Sequence, residues 1–217
     1  MQYITAYGAL VHHAKLAQGQ TALFTAATGG LGVAAIQMAR QLGVTSIATT
    51  RTSAKRPLLE SLQPDHIIVT GEEDTVDRVK QITGGRGVDF VWDGVGGKDF
   101  PKLVEATAPH GQIIIYGALA PDARTGTPMP WFPLMFKGIS IRGYLVFELT
   151  FDPERFGATR PYDPVAYPAA KKFVLDGLRS GTLKPAVAKC FPFDRIVEAH
   201  DYVENNQNLG KVVVTVN

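Results

Sequence analysis

Thr21 to Arg56 reads TALFTAATGGLGVAAIQMARQLGVTSIATTRTSAKR, and this stretch decides the fold. Thr21 to Thr25 is a short apolar run without helical spacing, followed by the turn Ala26, Ala27, Thr28, Gly29, Gly30, Leu31, Gly32. Leu31, Ala34, Ala35, Met38 and Leu42 then recur at helical intervals, and Gly43 stands where a C-terminal cap belongs. A tight turn between a strand and a helix leaves backbone N–H groups unpaired at the positive end of the helix dipole. An anionic diphosphate fits there, so a dinucleotide is the natural ligand.

The glycines have separate expected jobs. Gly29 lets the backbone approach the diphosphate, Gly30 allows the turn, and Gly32 lets the helix pack hard against the strand. The strict G-x-G-x-x-G pattern would start at position 27, where this chain has Ala27. Packing alone also produces apolar glycine turns. It is the strand before and the helix after that favour nucleotide binding.

The end of the second strand bears on which dinucleotide binds. In an NAD-binding fold an acidic residue about 20 positions beyond the glycines bonds the ribose hydroxyls. Here the strand Thr45 to Thr50 ends in Thr49 and Thr50 with no Asp or Glu, and Arg51, Thr52, Ser53, Lys55 and Arg56 follow. Donors with fixed positive charge suit the 2'-phosphate of NADP. The competing reading is a solvated basic turn that starts a helix.

Composition limits the alternatives. A chain of 217 residues with 45% hydrophobic content can bury a real core, as one domain with an appendage or as two small ones. A net charge of +2, with basic residues scattered apart from the one turn, points away from nucleic acid and anionic membranes. Cys190 is the sole cysteine, which excludes intrachain disulfides and multi-cysteine zinc sites and is compatible with a reducing compartment. No apolar segment reaches the roughly 18 residues needed to span a bilayer, and no signal peptide follows Met1. The expectation is a soluble cytoplasmic protein.

Taken in order, Thr5 to Ala17 predicts a helix with Thr5 as N-cap. Its adjacent His12 and His13 do not share a face and read as solvated side chains rather than as a metal pair. A helix over Ala54–Leu62, a strand over His66–Thr70, a helix over Asp74–Ile82 and a strand over Val88–Trp92 follow. That strand leads into a second glycine-rich turn, Asp93 to Gly97, with Asp93 as a turn or ribose contact rather than a catalyst. Lys98–Thr107 predicts a helix and Gln112–Tyr116 a strand closing on Gly117, Ala118 and Leu119. Three such strand ends predict a trough for a long flat ligand. Ala120–Pro133 reads as a loop. Trp131, Phe132, Leu134, Met135 and Phe136 then cluster before a last strand, Ser140–Val146. The cluster is either core or the cover of an exposed edge, and a two-fold partner pairing through 140–146 would protect that edge in a homodimer.

The A-x-x-G-x-x-G turn, TTRTSAKR, ITGGRGVDFVWDGVGG, GQIIIYGAL and GKVVVTV, in this order, resemble the medium-chain dehydrogenase/reductase superfamily, within it the zinc-independent quinone oxidoreductase-like branch. The resemblance implies a doubly wound Rossmann α/β fold and an NADPH-dependent reductase of quinones, enones or related carbonyl compounds. It implies Thr28, Gly29, Gly30 and Leu31 at the diphosphate, and Arg51 and Lys55, flanked by Thr50 and Thr52, at the 2'-phosphate. Val95 and Gly96 would lie beside the nicotinamide ribose, and Gly117, Ala118 and Leu119 near the amide, with Tyr144 and Leu145 as weaker candidates for lining the ring.

In that family a GroES-like barrel precedes the nucleotide-binding domain, and the chain here opens at TAYGAL, beyond it. The expected organisation is a leading helix over 1–18, an NADP-binding domain over 19–150 and, over 151–217, a C-terminal remnant of the split catalytic domain. The remnant would hold a helix over Pro168–Arg179, the run Leu183–Phe191, a helix over Asp194–Asn205 and a strand over Lys211–Val216. Val187, Phe191, Ile196, Val197 and Val203 are then expected at the surface. The family's zinc ligands have no counterparts, Cys190 reads as a buried small side chain, and no metal is expected. No catalytic residue stands out. Two other readings stay open: a stand-alone NADPH-binding module without turnover, and an interaction subunit that takes its barrel from another polypeptide.

Overall fold

A computed structural model of the chain describes residues 1–150, 163–205 and 210–216. The first strand, β1 (Thr21–Phe24), gives way to α2 (Gly30–Leu42), the helix that follows α1 (Gln2–Tyr7) in the chain. Next come β2 (Thr45–Thr50), α3 (Arg56–Glu60), β3 (His66–Val69), α4 (Thr75–Ile82), β4 (Val88–Asp93), α5 (Phe100–Ala106) and β5 (Thr107–Ile115). The sheet ends on β6 (Ser140–Gly143), reached through α6 (Trp131–Lys137). The six strands pair in parallel in the order β3-β2-β1-β4-β5-β6. The chain winds one way from β1 to β3 and the other way from β4 to β6, so the crevice between β1 and β4 is the topological switch point of a Rossmann fold.

Alternation along the strands explains why both faces are covered. Phe24, Ala48, Phe90, Trp92 and Ile114 enter one apolar cluster with α1 and α2, whereas Leu23, Ile47, Val91 and Ile113 enter a second with α4 and α5. A parallel sheet buried on both sides therefore reads as nearly continuous apolar runs. α2 ends as its sequence dictates, with Gly43 at φ +69°. α4 begins on Asp74, whose carboxylate accepts from Val76 N at 2.9 Å and Asp77 N at 3.2 Å.

Several expectations need correction. The leading helix starts at Gln2, and from Gly8 to His13 it widens into a π-helix. Thr5 is no cap: it is buried and its hydroxyl donates to Met1 O at 3.1 Å. The helix expected over 54–62 is a 3₁₀ turn, Ser53–Lys55, followed by the short α3. β5 begins five residues earlier than the expected Gln112, and β6 stops at Gly143, not Val146. The aromatic cluster lies on α6 with Trp131, Phe132, Met135 and Phe136 at the surface, so these four are not core.

The C-terminal part comprises α7 (Phe147–Thr150), α8 (Ala166–Ser180), β7 (Val187–Pro192), α9 (Ile196–Glu204) and β8 (Lys211–Thr215). β7 and β8 pair in parallel as a separate two-stranded sheet. Val187, Val197 and Val203 are exposed and Ile196 is half-buried, but Phe191 is buried, against expectation. Its ring packs against Tyr202 with centroids 6.0 Å apart and Lys189 Nζ lies 4.7 Å above it. Cys190 is exposed rather than buried. Strand alternation accounts for both, since neighbours on β7 face opposite ways and only one side is covered.

Candidate functional site

The carboxyl ends of four strands close around a cleft lined by Thr25, Thr49, Thr70, Asp93, Val95 and Lys102 among others. Asp93 organises it. Fully buried, it accepts from Thr25 Oγ1 at 2.7 Å, Val95 N at 3.0 Å and Gly96 N at 2.9 Å, while Thr25 Oγ1 accepts in turn from Gly94 N at 2.9 Å. The carboxylate shapes the second glycine turn by accepting from two of its amides. That agrees with the turn role expected of it.

The loop after β5 is fastened to the same turn. Leu119 N donates to Gly94 O and Ala120 N to Val95 O, each at 3.0 Å. Tyr116 folds over Gly94, where a side chain would strike its ring at 2.5 Å, and donates its hydroxyl to Thr25 O at 3.3 Å. Burial, reinforced by the Asp93 charge, pushes that phenol well above its ordinary range, so it stays protonated. Gly117 and Leu119 are thereby brought beside Gly94 and Ala120 beside Val95, whereas a Cβ on Gly96 would meet Ala123 at 3.2 Å.

In the first turn the unusual backbone is at Ala26, with φ +49°, and Gly30 is simply the first residue of α2. Gly30 is therefore not what permits the turn. Gly32 has the packing role expected of it, because a Cβ there would run into the backbone of Ala27. Gly29 caps α2 without any side-chain hydrogen bond, and no acidic residue occupies the helix's first turn. The amides of Gly30 and Leu31 thus stand at a bare positive terminus. Thr28 carries a further tie: its carbonyl accepts from Gly210 N at 3.1 Å.

At the end of β2, Thr50 is buried with its hydroxyl donating to Thr52 O at 3.3 Å, and Arg51 and Thr52 are exposed. Among the described residues no carboxylate pairs with Arg51 or Lys55, whereas Arg56 is held by Glu60 at 3.0 Å. Burial, and next the Arg51 charge, hold the Lys55 ammonium below its ordinary pKa. Two neighbouring cations left without an anion fit a phosphate group. The first turn, the basic turn and the loop after β5 are not part of the cleft wall; Val95 and Gly96 are. The sequence reading overlooked Thr25, Thr49, Thr70, Thr75, Asp99, Lys102 and Leu103. The available signal was a threonine at the end of each of the first three strands.

The lesser candidates lie elsewhere. Tyr144 is buried with its hydroxyl against Gly8, so it does not line a ring site, and Leu145 is exposed. The two histidines are not simply solvated. His13 Nε2 is buried 3.3 Å from Glu148 Oε2, and His12 Nε2 lies 3.6 Å from Asp163. Among the described residues no group of three or more His, Cys, Asp or Glu could hold a metal, and no helix is long and apolar enough to cross a membrane.

Residues 30–159 match the family model described as zinc-binding dehydrogenase. The chain belongs to the medium-chain dehydrogenase/reductase superfamily. A 2-haloacrylate reductase from a Burkholderia species is 29% identical over 200 residues, covering 92% of this chain and 56% of that protein. A quinone oxidoreductase-like protein 2 homolog of Nematostella vectensis is 28% identical over 218 residues, covering 99% and 55%. Among solved structures, a mycobacterial protein complexed with NADPH superposes with a TM-score of 0.80 at 25% identity, covering 99% of this chain and 62% of that one. The chain thus spans a little over half the length of these curated relatives.

Proposed function

We propose that the chain is the cofactor-binding part of an NADPH-dependent, zinc-independent reductase of quinones, enones or related carbonyl compounds. The observation that carries this reading is the Arg51–Lys55 pair at the end of β2, uncompensated by any carboxylate among the described residues, in a superfamily of oxidoreductases. The printed activities of the relatives, 2-haloacrylate reductase and quinone oxidoreductase-like protein, support the substrate class.

In this reading Thr28, Gly29, Gly30 and Leu31 meet the diphosphate through backbone amides, while Arg51 and Lys55, with Thr50 and Thr52 shaping their turn, neutralise the 2'-phosphate. Val95, Gly96, Gly117, Ala118 and Leu119 border the nicotinamide end. When bound, the nicotinamide supplies the hydride. The residues of the chain orient the ring and exclude water, and Asp93 holds the second turn rigid for that purpose. No side chain is assigned to proton delivery, which water can perform for a quinone or enone.

Titration with NADPH and NADH tests the coenzyme. NADPH is expected to bind at least tenfold more tightly, and Arg51→Ser with Lys55→Ala is expected to erase that margin by lowering NADPH affinity roughly 10- to 100-fold while sparing NADH. Equal affinity of the natural protein for both would end the assignment.

Residues 151–217 form the remnant of a split catalytic domain in this proposal, and β6 is the edge through which two copies pair as a homodimer. Sedimentation before and after Phe136→Glu tests the dimer. The exposed Val187, Val197 and Val203 favour a second reading, in which another polypeptide supplies the opposite wall of the cleft. In that case the purified chain binds NADPH but does not oxidise it with a quinone.

A further inference from the structure

The loop that leaves β5 turns back over the second glycine turn and is fastened there by side chains as well as by backbone. Besides the bonds from Leu119 N and Ala120 N, Lys98 N donates to Asp122 Oδ2 at 2.7 Å and Gly97 N to Thr127 Oγ1 at 3.0 Å. Both amides belong to the 3₁₀ turn Gly97–Asp99 that opens α5, which has no cap from its own flanking side chain. Residues 24 and 30 positions further along the chain supply the missing acceptors. The approach is close. Gly97 adopts φ +74°, and a Cβ on it would lie 2.7 Å from Asp122 Oδ1 and 2.8 Å from Ala120 Cβ.

The loop is also a unit in itself. Asp122 O accepts from Thr125 N at 3.2 Å and from Gly126 N at 3.0 Å, and Thr127 Oγ1 donates to Ala123 O at 3.2 Å. No residue from Gly117 to Thr127 is buried, so hydrogen bonds rather than apolar packing hold the segment down. A segment held in that way opens without unfolding the sheet beneath it. Leu119 keeps its side chain 71% exposed while its amide is tied to Gly94 O, so it is fixed in place yet free to meet a ligand.

We propose that residues 117–127 form a strap whose closure sets the affinity of the site for the nicotinamide end of the coenzyme, with Asp122 and Thr127 as the positioning residues that hold it shut. This rests on the dinucleotide reading above, in which the strap and the turn beneath it border that end. The two borders meet only while the latch is made. A ligand that touches the closed form alone favours closure by the free energy of that contact, and a ligand that stops short of the strap is indifferent to it. Arg51 and Lys55 follow β2, which β1 and β4 separate from β5, so the adenosine end lies beyond the strap's reach.

The test titrates the wild type, Asp122→Ala, Thr127→Val and Thr127→Ser with NADPH and with adenosine 2',5'-bisphosphate, which carries the adenosine and its 2'-phosphate but no nicotinamide. Asp122→Ala and Thr127→Val are each expected to weaken NADPH about tenfold and the bisphosphate by less than about twofold. Thr127→Ser keeps the hydroxyl and is expected to retain NADPH affinity. Equal losses for the two ligands overturn the proposal, as does undiminished NADPH binding by Asp122→Ala and Thr127→Val. If the wild type binds neither ligand, the dinucleotide reading itself has failed. Should the variants fold poorly, amide exchange of the wild type decides: Gly97, Lys98, Leu119 and Ala120 are expected to exchange more slowly with NADPH present than with the bisphosphate, and equal exchange overturns the strap.

Discussion

Asp93 Oδ1 accepts a hydrogen bond from Thr25 Oγ1 at 2.7 Å, and this buried contact ties the end of β4 to the end of β1 across the switch point. The threonine bridges, since it also accepts from Gly94 N. Asp93→Ala strands the Val95 and Gly96 amides and is expected to cost about 3 kcal/mol. Thr25→Val is expected to cost about 1–2 kcal/mol. Because the two share one bond, the double variant should lose less than the sum of the singles. Urea unfolding of the four proteins measures the coupling, and strict additivity would show that the bond contributes nothing.

Gly30 and Gly32, both in the first turn of α2, should respond differently to an added methyl group. Gly32→Ala forces a methyl into the Ala27 backbone, which cannot yield, and is expected to destabilise by on the order of 3 kcal/mol. Gly30→Ala meets only the flexible ends of Gln2 at 3.1 Å and Lys211 at 3.2 Å, in a helical residue. Its stability should stay within about 1 kcal/mol of the natural protein while dinucleotide affinity falls, because in the proposed reading the methyl stands where the diphosphate approaches. Thermal unfolding with and without NADPH separates the two effects.

How far this was legible beforehand depends on the range of the interaction. β1, α2 and β2 follow from local periodicity, and Asp74 caps α4 through its own neighbours, so both could be read from adjacent residues. The Thr25–Asp93 bond joins residues 68 apart, and no local pattern encodes such a pairing. The π-helix at Gly8–His13 escaped for a related reason: the side chain packed onto Gly8 is that of Tyr144, which lies far along the chain. Cys190 and Phe191 could be placed only once it was known that β7 is covered on one side.

Tyr144 supplies a test of that packing. Its hydroxyl is buried with no hydrogen-bond partner among the described residues, and burial followed by the Glu148 charge pushes its pKa well above the ordinary value. Tyr144→Phe removes an unsatisfied polar atom without changing the shape. It is expected to stabilise the fold by about 1 kcal/mol and to leave dinucleotide binding unchanged. Gly8→Ala, which drives a methyl into the same hydroxyl, should do the opposite and prevent α1 from docking.

His13 makes the fold sensitive to acid. Burial, then the nearby Arg142 charge, lower its pKa from 6.5 to about 4, and Glu148, the counter-charge on the other side, only partly restores it; His12 adds a further small lowering. Arg142 and Glu148 pair with each other at 2.6 Å, so the carboxylate is already engaged. In the unfolded chain the imidazole takes up its proton near pH 6.5, whereas in the folded chain it does so only near pH 4. The unfolded state therefore binds more protons throughout that interval, and stability present above pH 6.5 drains away as the pH falls toward 4. Between pH 7 and pH 5 this linkage amounts to about 2 kcal/mol for one such group. His13→Phe keeps a ring against Tyr144, whose centroid lies 5.1 Å from that of the imidazole, and takes away the titration. Unfolding free energies of the two proteins at pH 7 and pH 5 should show the natural protein losing about 2 kcal/mol more than the variant. Parallel losses would mean that the acid response belongs to other groups.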